Sequence, residues 1–191
     1  MSLLSSVVNM ELVSKTYTIQ WVGPMDYNKF KEYCKDEETL SPSYYNIYYF
    51  EARQDARHKW HKYVGIHKYN DGINKRLGQG HEHLGPYIKN DAKDIKIWIG
   101  SMARKVDQKP SIIDMIETLF IRAYREALDE NVKKKKSVLQ ESICVVNLFY
   151  DEIEKANNCS KLHPMVLDDV ILYRRETDSF MHGKLCNMKN K

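Results

Sequence analysis

The sequence predicts an α+β fold, a small antiparallel β-sheet of about three strands flanked by helices, with additions at both ends. Three observations carry this expectation. "YNIYYFEA" and "KYVGIHKY" are short runs of aromatic and β-branched residues joined by the polar stretch "RQDARHKW", the pattern of two antiparallel strands. "DIKIWIG" places Ile95, Ile97 and Ile99 on one face and supplies a third strand that Gly100 closes. "SIIDMIETLFIRAYREALDEN" repeats apolar residues at helical spacing: Ile112, Ile116, Leu119, Phe120, Ala123 and Ala127 form one stripe, with Ser111 placed to cap it.

The remaining elements divide the chain into an N-terminal extension, a main domain and a C-terminal extension. Residues 1–43 are expected to hold a strand and a helix. "TYTIQWVG" alternates apolar and polar residues until Gly23-Pro24 stops it, and Asp26 is a candidate N-cap for a helix carrying Tyr27, Phe30 and Tyr33. The polar, proline-containing "DEETLSPS" marks a boundary, after which residues 44–136 form the main domain. Within that domain "DGINKRLGQG" predicts a short helix ended at Gly78. Residues 137–191 are a C-terminal extension packed on the same core. In it "SICVVNLFY" is too apolar to be exposed and reads as a buried strand, "DEIEKANN" as a short helix and "MVLDDVILY" as another strand or buried segment. From Arg174 onward periodicity fades and a frayed end is expected.

Composition narrows the classes of function. The 42% apolar and 29% charged residues are those of a globular chain rather than a disordered one. No stretch approaches the ~18 apolar residues of a membrane span, and the first residues lack a signal-peptide pattern, so no membrane partner is expected. Four scattered cysteines without a CxxC pair argue against a cysteine zinc site or a disulfide framework and for a reducing compartment, cytoplasmic or nucleoid-associated. A net charge of +4 is compatible with nucleic acid without requiring it.

Residues of chemical interest follow one another in a specific order. On the second strand Val64 and Ile66 share the face expected to meet the core, which turns Tyr63, Gly65 and His67 to the other face. Tyr48 shares a face with Phe50 on the first strand, and pairing can bring the two tyrosines together. Gly65 leaves room beside Tyr63. Arg76 lies in the short helix, and Glu117 lies at the margin of the apolar stripe of the long helix, roughly 100° from its middle. Asn131 trails that helix.

This succession resembles the GIY-YIG nuclease superfamily. "NIYYF" corresponds to the first half of the name, although Asn46 stands where its glycine would be. "YVG" corresponds to the second half, followed by Arg76, by Glu117 within "IETLFIRAY" and by Asn131 within "EALDENV". The resemblance covers residues 44–136 and implies a metal-dependent endonuclease that hydrolyses DNA phosphodiester bonds. It implies Glu117 as the ligand of one Mg²⁺ (or Mn²⁺), Arg76 as the holder of the scissile phosphate, and Tyr48 with Tyr63 beside it as the base or the group that orients water. It further implies a histidine after the arginine, His81 with His83 in reserve. Lys75 is a candidate substrate contact, and Asn131 another that serves more as a brace. The alternative is a catalytically inactive nucleic-acid-binding or interaction module. Loose histidine spacings in "HKWHKYVGIH" and "HEH" leave a zinc-binding structural protein as a third reading. The lysine run Lys133 to Lys136 reads as a solvated helix end or a phosphate contact.

Overall fold

The computed structural model describes residues 15–35, 47–67, 73–150 and 163–185. The strands are β1 (Lys15–Met25), β2 (Ile47–Arg53), β3 (His61–Ile66), β4 (Asp94–Met102), β5 (Ile143–Tyr150), β6 (Val170–Arg174) and β7 (Ser179–Gly183). The α-helices are α1 (Tyr27–Tyr33), α2 (Ile73–Arg76), α3 (Gly85–Lys89) and α4 (Pro110–Ala123), with a 3₁₀ turn at Lys105–Asp107. Among the described residues no helix is long and apolar enough to cross a membrane.

The expected three-stranded sheet flanked by helices is corrected by the topology. All seven strands form one curled, mixed sheet in the order β3-β2-β4-β1-β5-β6-β7. β2, β3 and β4 do pair antiparallel, but they make up only one end of it. The free side of β4 is taken by β1, with Trp21 opposite Gly100, and β1 then accepts β5 in parallel register. What reads as terminal additions is therefore sheet. The physical reason is that an unpaired β4 edge must find a partner, and the partners lie far away in sequence. Local periodicity identifies a strand but not its neighbour. A buried hydrogen bond from Trp21 Nε1 to Asn147 Oδ1 (2.9 Å) pins β1 against β5.

Three element boundaries also differ from expectation. β1 runs through Gly23-Pro24 to Met25, absorbing that pair, which is cis, in a register shift against β4. α4 starts at Pro110, with Lys109 rather than Ser111 at the N-cap, and ends at Ala123 instead of near 131. The chain leaves the helix at Tyr124, whose hydroxyl donates to the Asp168 carboxylate and accepts from the Asp168 amide. The stretch expected to fray contains β7, paired with β6. The proposed linker "DEETLSPS" and the short helix expected in "DEIEKANN" lie outside the described residues.

The sheet carries a core on each face. One face holds Tyr17, Ile19, Trp21, Tyr49, Val64 and Trp98 against Ile116, Leu119 and Phe120 of α4. The other holds Tyr48, Phe50, Ile95, Ile97 and Ile99 with Phe30 of α1 and with Ile73, Leu77 and Leu84. Each alternating strand thus feeds two cores. The candidate site lies on the second face, at the β3 end of the sheet.

Candidate active site

The register of β2 on β3 sets Tyr48 opposite Gly65 and Phe50 opposite Tyr63. Tyr48 and Tyr63 are then diagonal neighbours on one face, and their rings stack 6.1 Å apart at 23°. Gly65 is what permits this. A Cβ there would lie 2.5 Å from both Cζ and the hydroxyl of Tyr48 and 2.6 Å from Cε1 of Tyr63. The Tyr48 ring lies over bare backbone that any other residue would occupy.

Tyr48 is fully buried, whereas Tyr63 is half-buried. The Tyr48 hydroxyl meets Nε2 of His81 at 2.9 Å. His81 sits in the turn after α2, where its amide bonds Gly78 O and its carbonyl accepts from Gly85 N. Its Nδ1 accepts two backbone N–H groups, from His83 (3.2 Å) and Leu84 (3.0 Å), so that nitrogen carries no proton. Burial, with Arg76 and His83 adding to it, lowers the His81 pKa to about 4, and the ring is neutral at pH 7. A neutral imidazole with a bare Nδ1 carries its hydrogen on Nε2, which makes His81 a donor to the Tyr48 oxygen.

Arg76, the last residue of α2, is exposed, and its charge acts on the same phenol. The Tyr48 hydroxyl thus accepts from His81, with the Tyr63 ring stacked beside it. Burial pushes both phenols above their ordinary range, Tyr48 further than Tyr63. The Glu117 charge pushes both in the same direction, and Arg76 opposes it.

Glu117, on α4, is 8% exposed, and its charge reaches both phenols. Its Oε2 lies 2.5 Å from the ammonium of Lys134, which also holds Asp114 Oδ1 at 2.9 Å. Asp114 precedes Glu117 by three residues, so one helix face presents both carboxylates to a single cation. Two hard oxygen ligands that already hold a positive charge fit Mg²⁺ or Mn²⁺. Glu117 would be the ligand, with Asp114 beside it. Lys134 adopts a left-handed backbone (φ 66°), which turns it out of the lysine run toward the helix.

Asn131 and Lys75 are the two candidate substrate contacts, and Asn131 is also the expected brace. Asn131 is 4% exposed, and Val64 engages both ends of its amide: Oδ1 accepts from Val64 N (2.9 Å) and Nδ2 donates to Val64 O (2.8 Å). It covers the outer edge of β3 and is a brace. Lys75 is exposed beside Arg76. His83 takes its own place, stacked on Tyr63 with centroids 4.7 Å apart and Nδ1 on Glu130 Oε2 at 2.9 Å.

Tyr48, Tyr63 and His81 thus come together from β2, β3 and a turn, with Arg76 of α2 and Glu117 of α4 near enough for their charges to act on the two phenols. Sequence reasoning missed Lys134 and Asp114. The i,i+3 carboxylates on a strong helix were a visible signal for Asp114, but nothing distinguishes one lysine from the next within "KKKK". Comparison with known protein families, curated proteins and solved structures yields no match to this chain.

Proposed function

We propose that the chain is a metal-dependent endonuclease with a GIY-YIG-type site that hydrolyses DNA phosphodiester bonds. The supporting observation is the meeting of two stacked tyrosines, a neutral histidine, an exposed arginine and a nearly buried glutamate drawn from separate elements. Structural tyrosines pack well without a neutral histidine donor on a buried phenol oxygen and an arginine charge beside it. That arrangement serves charge development on oxygen.

Arg76, exposed and planar, holds the scissile phosphate through paired N–H donors. Tyr48 is sealed from solvent, so it positions rather than attacks. Fixed by His81, it holds its ring stacked against Tyr63. Tyr63 is the phenol that meets the attacking water, and its oxygen takes up the proton when it is phenolate. Resting Tyr63 is held above its ordinary pKa by burial and by Glu117. Mg²⁺ or Mn²⁺ on Glu117 would supply positive charge to the phosphate oxygens and cancel the repulsion that Glu117 exerts on a Tyr63 phenolate.

One observation favours the alternative of a non-catalytic nucleic-acid-binding module: Lys134 already neutralises Glu117. Supercoiled plasmid incubated with Mg²⁺ or Mn²⁺ separates the two readings. The nuclease converts plasmid to nicked or linear DNA, and Glu117→Ala binds DNA but does not cut. Binding without cleavage by the native chain under either ion overturns the proposal.

A further inference from the structure

Beside the tyrosine cluster, at the start of β3, His61, Asp129 and Glu130 bring three ligand atoms within 4.8 Å of one another. His61 Nδ1 lies 3.0 Å from Asp129 Oδ2 and 2.8 Å from Glu130 Oε1. It is sealed from solvent, yet among the described residues no hydrogen bond is directed at it. Both carboxylate oxygens therefore sit close to the nitrogen but off the axis of its ring N–H. That is how donors stand around a shared cation. With metal bonds of ~2.1 Å, tetrahedral ligands lie roughly 3.4 Å apart, and each aims at the centre rather than at its neighbour.

The oxygens not aimed at His61 are anchored. Asp129 Oδ1 accepts the Lys62 amide at 2.9 Å, and Glu130 Oε2 meets Nδ1 of His83 at 2.9 Å. The backbone adds a clamp from Glu130 N to Lys62 O at 3.3 Å, and the His61 ring leans on Tyr87. First-ligand atoms converging while their second atoms are tied down is the architecture of a metal site with its outer shell in place. The Lys59 ammonium stands 3.3 Å from Asp129 Oδ2 on an exposed, mobile-length side chain that can swing to water.

We propose that His61, Asp129 and Glu130 bind one divalent transition-metal ion of the Zn²⁺ class, at a site separate from Glu117. One imidazole with two carboxylates favours such an ion over Mg²⁺ or Ca²⁺, which take oxygen ligands. The three side chains are each about one quarter exposed, which leaves a side open for water as the fourth ligand. The ion ties the first residue of β3 to the turn after α4. Through Glu130 and His83 it steadies the ring stacked on Tyr63.

The test uses the full chain, stripped by chelation and titrated with Co²⁺ as a visible-absorbing substitute for Zn²⁺. One equivalent is expected to bind with the intense absorption of a four-coordinate ion, and Zn²⁺ to displace it. Glu117→Gln should bind Co²⁺ like the native chain, which keeps this outcome independent of the nuclease reading. His61→Gln and Asp129→Asn, near-isosteric and checked for fold by circular dichroism, should lose stoichiometric binding. His83→Phe, which removes the outer partner of Glu130, should weaken it by ~10- to 100-fold. No uptake by the native chain identifies the cluster as an ordinary histidine–carboxylate ion pair and overturns the proposal, as does unchanged binding in a folded His61→Gln or Asp129→Asn.

Discussion

The Tyr48 hydroxyl and His81 Nε2, 33 residues apart in sequence, lie 2.9 Å apart inside the protein. Two backbone amides occupy the other nitrogen of His81, so the contact has a direction, from imidazole N–H to phenol oxygen. His81→Phe keeps a ring in that space and removes the donor. Plasmid cleavage should fall by ~10²-fold or more while DNA binding is retained, since Arg76 is untouched. A pH signature accompanies it. In the folded chain the His81 pKa is lowered to about 4, whereas unfolded histidine titrates near ~6.5. Between those values the unfolded state binds the extra proton, so stability is full above pH ~6.5 and is lost as pH falls toward 4. Urea midpoints taken at pH 7.5, 6 and 5 should decline for the native chain and decline less for His81→Phe.

Gly65→Ala tests whether close approach of the tyrosine rings is built into β3. The added methyl meets Tyr48 at 2.5 Å and Tyr63 at 2.6 Å, so both rings must move. A buried ring has little room to yield, and overpacking of this kind costs ~1–3 kcal/mol. Denaturant unfolding should show that loss. Cleavage should drop further than Tyr63→Phe alone drops it, because Gly65→Ala disturbs both phenols at once. Native stability and native cleavage together would mean that the stacked arrangement is not needed.

Much of this site was legible because period-two alternation is local. Val64 and Ile66 against Tyr63 and Gly65 assign the two faces of β3, and Val64 does lie in the α4-side core while Tyr63 packs on the other. What was not legible depends on distant partners. "TYTIQWVG" reads as a strand, but nothing in it names β4 and β5 as its neighbours. The long apolar stripe continues to Ala127, yet the helix ends at Ala123 because Tyr124 finds Asp168, 44 residues on. Lys134 looks like its three companions, and only a left-handed turn singles it out. Periodicity records which way a side chain points and is silent about what it meets.

Asn131 acts as an extra backbone partner for β3. Its amide accepts from Val64 N and donates to Val64 O, a two-way match that protects an otherwise open sheet edge. Asn131→Asp keeps the shape and the acceptor but loses the donor, and it puts a carboxylate against the Val64 carbonyl. With the group buried, the cost should be ~2–3 kcal/mol. Hydrogen exchange should show the Val64 amide opening earlier, with the centre of the sheet unchanged. Unaltered protection at Val64 would remove the bracing role.

The pair of carboxylates on α4 now holds an ammonium, and any divalent ion that binds Glu117 must move it. Lys134 Nζ sits 2.5 Å from Glu117 and 2.9 Å from Asp114, and attraction to the two carboxylates raises the lysine pKa despite its partial burial. Lys134→Met deletes the charge while keeping most of the stem. Without added metal, two carboxylates one turn apart then repel each other, and Glu117 is nearly buried. The variant should unfold at lower urea, by ~1–3 kcal/mol. With Mn²⁺ the sign reverses: no ammonium has to leave, so the ion should bind ~10-fold tighter, equivalent to ~1.4 kcal/mol. Calorimetric titration of Mn²⁺ into native chain and Lys134→Met, each compared with its Glu117→Gln counterpart, isolates the binding that depends on Glu117. Equal affinities would place the ion away from Glu117 and leave Lys134 as a purely structural clasp on the helix.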